Sequence, residues 1–252
     1  MLSHPIDRLD LVDSGAERSL REEIDTLVRS NLPEFMFWAS PGNWRWHHVY
    51  EVAPDLQIAA CTQAGEVIGA VNALPVPLDA PEQLAGQGYD SVLVDAKVNA
   101  GQPARSVCLL SLSIRPEHRK SGLAERLLQE VFARARRMSA RNIIAPLRPT
   151  KKARYPHVPM SEFILWRDSD GEAFDPWIRT HLELGGTIAC VAESSLVVRQ
   201  PVARWEAATG QRMRVPGTYT VAGALSPVVV DLQGVGTYCE DNVWIVHSLE
   251  GN

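Results

Sequence analysis

The clearest pattern in the chain is a change from a continuous apolar run to a three- or four-residue repeat between positions 107 and 138. The run VCLLSLSI, residues 107–114, is typical of a buried strand, and LAERLLQEVFARARRM, residues 123–138, has apolar positions at helical spacing. The eight residues RPEHRKSG between them form a turn. A second apolar run, NIIAPL, follows the helix, and the order strand, helix, strand favours parallel pairing of the two strands.

Weaker patterns predict further elements on both sides of this unit. Residues 17–31 place apolar side chains at helical spacing and predict an amphipathic helix, which an aromatic-rich loop follows. The runs LQIAAC and VIGAVNA, joined by TQAGE, predict a β-hairpin. Residues 75–104 are rich in Pro, Gly and Ala and indicate an irregular insertion with a short helix near SVLVDAKV.

The C-terminal half alternates predicted helices and strands. Asp175 and Pro176 fit the N-cap and first position of a helix that stops at Gly185, and TIACVAESSLVV then predicts strands. The stretch ARWEAATG predicts a short helix, and β-prone segments end in VWIVH. We therefore predict one domain over residues 1–200, with residues 201–252 as a strand-rich elaboration of that same domain.

The composition is that of an ordinary globular protein. Of 252 residues, 45% are hydrophobic and 22% charged, and no run of about 18 uncharged apolar residues could span a bilayer. The N-terminal segment MLSHPIDRLDLVDSG lacks the apolar stretch of a signal peptide, so we expect a cytoplasmic location without membrane insertion. The four cysteines have no metal-site spacing, and we interpret them as buried apolar residues. They are Cys61, Cys108, Cys190 and Cys239.

The turn between the first strand and its helix carries the strongest chemical signal. Arg119, Gly122 and Ala124 form an Arg-x-x-Gly-x-Ala pattern. Small residues let the backbone approach a ligand closely, and unpaired N–H groups at the start of a helix attract phosphate. Arg119 and Lys120 add positive charge, so the turn suits a pyrophosphate. A basic strand-to-helix turn without a ligand has the same features.

The segment LSIRPEHRKSGLAERLL, residues 112–128, resembles the signature of the GNAT superfamily of N-acyltransferases, and a weaker resemblance extends over about residues 17–200. It implies an α/β (α+β) fold with a mixed, mostly antiparallel sheet, a splayed parallel strand pair and flanking helices. By position, Ser113 and Ile114 are expected to face the pantetheine of an acyl-CoA donor. The loop residues expected to hold its diphosphate are Arg119, Lys120, Ser121, Gly122, Leu123 and Ala124.

The group that protonates the leaving thiolate departs from the family pattern. Members often carry a Tyr-x-x-x-Gly sequence at the end of the next helix, whereas this chain has THLELGG, with His181 in the tyrosine position. His181 could act as the acid, act as a base for the amine, or only pack. Tyr155, in the loop after NIIAPL, is the next candidate for this acid. The base could be a relayed water or one of four side chains, which are Glu51, Glu66, His47 and His48.

Two further segments could recognise the acceptor. Trp44, Trp46 and His47 belong to the cluster WRWHH and could line an acceptor pocket or form a packed lid. Glu240 and Asp241 could bind a cationic amine, although a solvated turn is the simpler interpretation. Adjacent histidines make a poor metal pair, so we expect no metal site.

Positive charge is concentrated in one stretch, although the net charge of the chain is -5. From Arg115 to Arg154 the sequence has twelve Lys or Arg against three acids, an excess of nine. Coenzyme A alone accounts for a few of these charges, whereas an acidic acyl carrier protein or an aminoacyl-tRNA donor could use more. An Arg-rich solvated helix face explains the same pattern without a macromolecular partner.

These features together predict an acyltransferase that moves an acyl group from a thioester such as acyl-CoA to the amine of a small molecule, or less favourably of a protein, by direct attack of the amine. The insertions at 75–104 and 201–252 suggest a specialised acceptor, as in secondary metabolism. Three alternatives stay open: a carrier-protein or tRNA donor, a non-catalytic acyl-CoA-binding module, and a thioester decarboxylase on the same fold. The sequence does not specify the acceptor, the acyl group or the oligomeric state.

Overall fold

The computed structural model describes residues 9–38, 40–214 and 216–250. Its helices are α1 (Leu20–Asn31), α2 (His48–Val52), α3 (Tyr89–Asp95), α4 (Leu123–Arg137), α5 (Met160–Phe163), α6 (Pro176–Glu183) and α7 (Val202–Thr209). Its strands are β1 (Asp10–Asp13), β2 (Gln57–Cys61), β3 (Val67–Val76), β4 (Ser106–Ile114), β5 (Asn142–Leu147), β6 (Thr187–Pro201), β7 (Gly217–Tyr219), β8 (Val228–Val230) and β9 (Val235–Ser248). The predicted helices and strands therefore form close to their expected positions.

The strands build one mixed sheet in the order β1-β2-β3-β4-β5-β9-β8-β7, and β6 pairs along β9 as well. Neighbouring strands are antiparallel, including the predicted β2–β3 hairpin, except for β4 and β5, which run parallel. Helices α1 and α4 pack against β3 and β4. This arrangement confirms the predicted α+β fold with a mostly antiparallel sheet.

Helix α4 packs on the sheet through the residues that produce its periodic pattern. Leu123, Leu127, Leu128 and Val131 are buried. A Cβ atom added at Gly69 of β3 would lie 3.0 Å from a methyl carbon of Leu123, so this glycine permits a close approach of helix and strand. Truncating Leu127 to alanine in such a core costs about 2–5 kcal/mol. The start of α4 is therefore fixed firmly against the strands.

A second apolar cluster connects the C-terminal residues with the segment before α2. Trp205 of α7 packs against Phe35 and Trp38, with ring centroids 5.6 and 4.8 Å apart. Tyr238 of β9 meets Phe35 edge-on at 5.1 Å. Since β9 also lies between β5 and β6, the residues after position 201 contribute to the same sheet as the rest of the chain.

The interpretation of all four cysteines as buried is wrong for Cys239, which is exposed, and Cys190 is only half-buried. Cys61 and Cys108 are buried as predicted. Successive residues of a strand face opposite sides. In β9 the residues before and after Cys239, Tyr238 and Glu240, are buried, so Cys239 faces outward. Within the described ranges no helix has the length and apolar character needed to cross a membrane.

Candidate active site

A cavity of about 700 Å³ opens where β4 and β5 separate. The two strands pair only from Ser106 to Cys108 on β4, although β4 continues to Ile114. Leu110 is an extra residue on β4, because Asn72 of β3 pairs with Ser111 while the next residue pairs with Leu109. Such bulges re-aim a strand locally. The walls of the cavity include residues 109–114 of β4 and residues 145–147 of β5.

The predicted donor loop lies at one end of this cavity. Arg119, Lys120, Gly122, Leu123 and Ala124 line it together with the β4 residues Ser113 and Ile114. Ser121 does not line the cavity, and its hydroxyl donates instead to the carbonyl of His118 at 2.6 Å. All of the predicted donor-site residues except Ser121 therefore line this cavity.

Two residues of this loop have left-handed backbone conformations. Gly122 precedes the first residue of α4 with φ +79°, and Lys120 has φ +60°. A Cβ atom added at Gly122 would meet no atom within 4 Å, so the space in front of the helix N-terminus is open. Two hydrogen bonds hold the guanidinium of Arg119. Its Nε donates to the carbonyl of Ile114 at 3.3 Å, and its Nη2 donates to the side chain of Asn31.

His181 lines the cavity from helix α6 and is 1% exposed. Its Nδ1 lies 2.8 Å from Nε2 of His247 on β9, and its ring packs edge-on against Trp177. Burial, with a smaller effect of the neighbouring His247, lowers the pKa of His181 to about 3. The imidazole is therefore neutral near pH 7, which argues against the imidazolium as acid. Within the described residues Nε2 of His181 has no hydrogen-bond partner, so it is available to a ligand.

Helix α6 is positioned by the predicted cap. The Asp175 carboxylate accepts hydrogen bonds from the backbone N–H of Trp177 and Ile178 at 3.0 and 3.2 Å. It also accepts from the backbone N–H of Lys151, at 2.6 Å, which joins the start of α6 to the loop after β5. This cap fixes the direction in which α6 presents His181.

The other catalytic candidates lie outside the cavity lining. Tyr155 packs in an aromatic cluster, with ring centroids 4.8 Å from Trp166 and 5.9 Å from Phe174. Glu51 forms an ion pair with Lys97 at 2.9 Å, and Glu66 forms one with Arg115 at 3.2 Å. The rings of His47 and His48 meet edge-on with centroids 4.3 Å apart, and neither residue lines the cavity.

The residues of the aromatic cluster WRWHH lie in different environments. Trp46 lines the cavity, and its Nε1 donates to Asp25 of α1 at 2.9 Å. Trp44 is 71% exposed and His47 is exposed, and neither contributes to the cavity wall. The sequence could not choose among these neighbours because they follow each other in a short irregular segment. Asp25 was missed, although a polar residue directly beside the buried stripe of α1 was a usable signal.

Glu240 is a buried member of β9, so the interpretation of a solvated turn is wrong for this residue. Its carboxylate accepts from Nε of Arg148 at 2.9 Å, from the hydroxyl of Tyr238, and from Nδ2 of Asn242 at 3.0 Å. It lies in the part of β9 between the segment that pairs with β8 and the segment that pairs with β5. Asp241 is half-buried and accepts from the N–H of Ser194 at 2.8 Å.

The basic stretch does not form one continuous face. Arg134 is paired with Asp13 and Glu130, and Lys152 is buried, where it donates to two backbone carbonyls at 2.9 and 2.6 Å. Arg119, Lys120 and Arg148 line the cavity instead. The charges are dispersed because the stretch runs through α4, then β5, and then an irregular loop.

Comparison with known proteins agrees with this geometry. Residues 23–155 match the Acetyltransferase (GNAT) family. Arginine N-acetyltransferase avaD of Aspergillus versicolor is 31% identical over 208 residues, which cover 73% of this chain and 71% of that protein.

Two solved structures share the fold. The loading GNATL domain of CurA from Lyngbya majuscula is 18% identical with a TM-score of 0.57, covering 97% of this chain and 99% of that one. The GphF GNAT-like decarboxylase in complex with isobutyryl-CoA gives the same identity and TM-score, covering 96% and 100%. The matched family model and the sequence relative confirm the resemblance seen at residues 112–128, and the chain belongs to the GNAT acetyltransferase family.

Proposed function

We propose that this protein transfers an acetyl group from acetyl-CoA to a primary amine of a small molecule. The observation that carries the proposal is one continuous cavity that is lined by the loop Arg119–Ala124 except Ser121, by the separated strands β4 and β5, and by His181. A volume of about 700 Å³ is in the range of small-molecule and cofactor sites. The sequence relative named for arginine N-acetylation supports an amine acceptor.

The proposed donor site uses the loop for the diphosphate and the opened strands for the pantetheine arm. Free N–H groups at the start of α4 and the left-handed Gly122 leave room for phosphate oxygens. Arg119 and Lys120 contribute positive charge at the cavity wall. Beyond Cys108 the backbone of β4 has no partner on β5, so the polar groups on that edge of β4 are available to an extended amide-containing ligand, whereas the other edge pairs with β3.

In the proposed reaction the neutral amine attacks the thioester carbonyl, a C–N bond forms and the C–S bond breaks. His181 accepts a hydrogen bond from the amine N–H through Nε2, and this aligns the nitrogen lone pair with the carbonyl. The nitrogen becomes acidic once it is bonded to the carbonyl carbon. One of its two protons then moves to the departing sulfur while the neutral His181 keeps its hydrogen bond to the other N–H, and the products are an amide and free coenzyme A. Tyr155 has no role in this scheme.

Macromolecular donors are less favoured by the charges. Several basic side chains between Arg115 and Arg154 are already engaged in ion pairs or carbonyl contacts, which leaves fewer for a carrier protein or a tRNA. A macromolecular donor would bind strongly only at low ionic strength. Activity that is insensitive to salt would support the small donor.

The experiment is a thiol-release assay with acetyl-CoA and a panel of amines, in which mass spectrometry identifies the acetylated product. We expect amine-dependent thiol release by the wild type, a strong loss of turnover in His181→Gln, and normal turnover in His157→Gln, which changes an exposed histidine. Binding of acetyl-CoA without turnover of any amine would favour a non-catalytic module. Consumption of malonyl-CoA without an amine would favour the decarboxylase alternative.

A further inference from the structure

Asp25 places a carboxylate on the cavity wall with one oxygen unused. Its Oδ1 accepts hydrogen bonds from Nε1 of Trp46 at 2.9 Å and from the hydroxyl of Tyr50 at 2.7 Å. Oδ2 forms no hydrogen bond with any residue in the described ranges, and Asp25 is half-buried rather than solvated. The carboxylate is thus fixed in orientation by one oxygen and free to bind a ligand through the other.

The two groups that contact Oδ1 both act as hydrogen-bond donors. Burial and the nearby Asp25 carboxylate raise the pKa of Tyr50, so its hydroxyl stays protonated and donates. Trp46 can only donate through its indole nitrogen. Both groups therefore act as donors to Asp25.

The cations next to Asp25 on the same helix do not pair with it. Arg21 and Arg29 stand four residues before and after it, at the spacing that favours ion pairs along a helix. Arg21 instead donates to the carbonyl of Tyr50 at 3.2 Å and lies over that ring at 5.4 Å. Arg29 lies over the ring of Phe37 at 4.8 Å. Among the described residues Asp25 therefore has no cationic partner.

The other acids on the cavity wall differ in this respect. Glu240 already accepts from Arg148, so its charge is balanced within the protein. Glu125 lies in the first turn of α4, beside the proposed phosphate loop. Asp25 instead contacts Trp46 and Tyr50, and Phe37 and Tyr89 line the same cavity. An unpaired carboxylate in a cavity with aromatic walls suits an organic cation.

We infer that Asp25 binds a positively charged group of the acceptor that is distinct from the reacting amine, with a guanidinium or second ammonium as the chemical class. A carboxylate beside the reacting nitrogen would favour the protonated amine, which cannot attack a thioester. The carboxylate is productive only when it binds a different cation of the same molecule. This inference rests on the proposed acetyl transfer and defines the acceptor as a diamine or guanidino amine.

The test compares L-arginine with L-citrulline, which replaces the guanidinium by a neutral group of similar shape, in calorimetric binding experiments with coenzyme A present. We expect wild type to bind L-arginine about 10- to 100-fold more tightly, as for loss of a charge-assisted hydrogen bond. Asp25→Asn keeps an oxygen for Trp46 and Tyr50 and is expected to abolish that preference. Glu22→Gln, on the exposed side of α1, is the matched control and should behave as wild type.

Equal binding of the two amino acids by wild type would overturn the inference, and so would an unchanged preference in Asp25→Asn or no binding of L-arginine at all. A thermal melt checks that Asp25→Asn is folded, and its affinity for coenzyme A should equal that of wild type. A different result would contradict the proposed function alone. In that case L-arginine binds with the expected preference but is not acetylated when acetyl-CoA replaces coenzyme A.

Discussion

Burial of the neutral His181 side chain makes the stability of the protein depend on pH. The pKa of this imidazole is lowered from 6.5 to about 3 in the folded protein. Below pH 6.5 the unfolded chain binds a proton that the folded protein does not bind, so the free energy of unfolding decreases as the pH falls. At pH 5 this histidine alone lowers the free energy of unfolding by about 2 kcal/mol, taking about 1.36 kcal/mol for each pH unit below 6.5. Burial also lowers the pKa of His247, which acts in the same direction.

The assay is urea denaturation at pH 7 and pH 5. His181→Gln removes the titration, so the stability lost between these two values should be smaller than in wild type by about 2 kcal/mol. The comparison between pH values cancels any constant cost of the substitution. His157→Gln removes an exposed histidine and should leave the wild-type difference unchanged. An equal loss of stability in His181→Gln and wild type would refute the reasoning.

Three further predictions concern other parts of the structure. Tyr155→Phe should leave the rate of amine acetylation unchanged, because this tyrosine lies outside the cavity lining, and a large loss in steady-state turnover would contradict that placement. Asp175→Ala should lower the free energy of unfolding by about 1–2 kcal/mol in urea titrations, because the N-cap of α6 is lost; an unchanged midpoint would exclude this role. A thiol reagent should label Cys239 in the folded protein and Cys108 only after unfolding, as peptide mass mapping can show.

The local part of the fold could be predicted from the sequence because its signals lie close together in the chain. The strand, turn and helix between positions 106 and 137 follow from one change of periodicity and one glycine. The cap at Asp175 follows from a side chain that bonds its own backbone neighbours. Such features depend on a few consecutive residues, so no knowledge of the tertiary structure was needed.

The long-range part could not be predicted in the same way. The position of β9 between β5 and β6 depends on pairing between residues far apart in the chain, and no local pattern encodes it. The burial of Glu240 follows from that position, because the carboxylate meets Arg148 only once β9 lies beside β5. The contact between His181 and His247 has the same origin.

The cavity lining shows this difference most clearly. Asp25, Trp46 and Arg148 come from three separate segments and line one cavity only in the folded protein. The sequence indicated that Trp46 belonged to an acceptor cluster but gave no reason to prefer it over the exposed Trp44. For Asp25 the only local signal was that a polar residue lies next to the buried stripe of a helix. For Arg148 it was that a polar residue directly follows a strand.

The most direct test of the central claim is calorimetric titration of acetyl-CoA into wild type, Gly122→Glu and Gly171→Glu. Both glycines have left-handed backbones, with φ +79° and +82°, and open space around an added Cβ, but only Gly122 lines the cavity. We predict micromolar binding by wild type and Gly171→Glu, and loss of binding in Gly122→Glu, whose side chain places bulk and negative charge in the phosphate cradle. Absence of binding by wild type, or equal binding by all three proteins, would contradict the account.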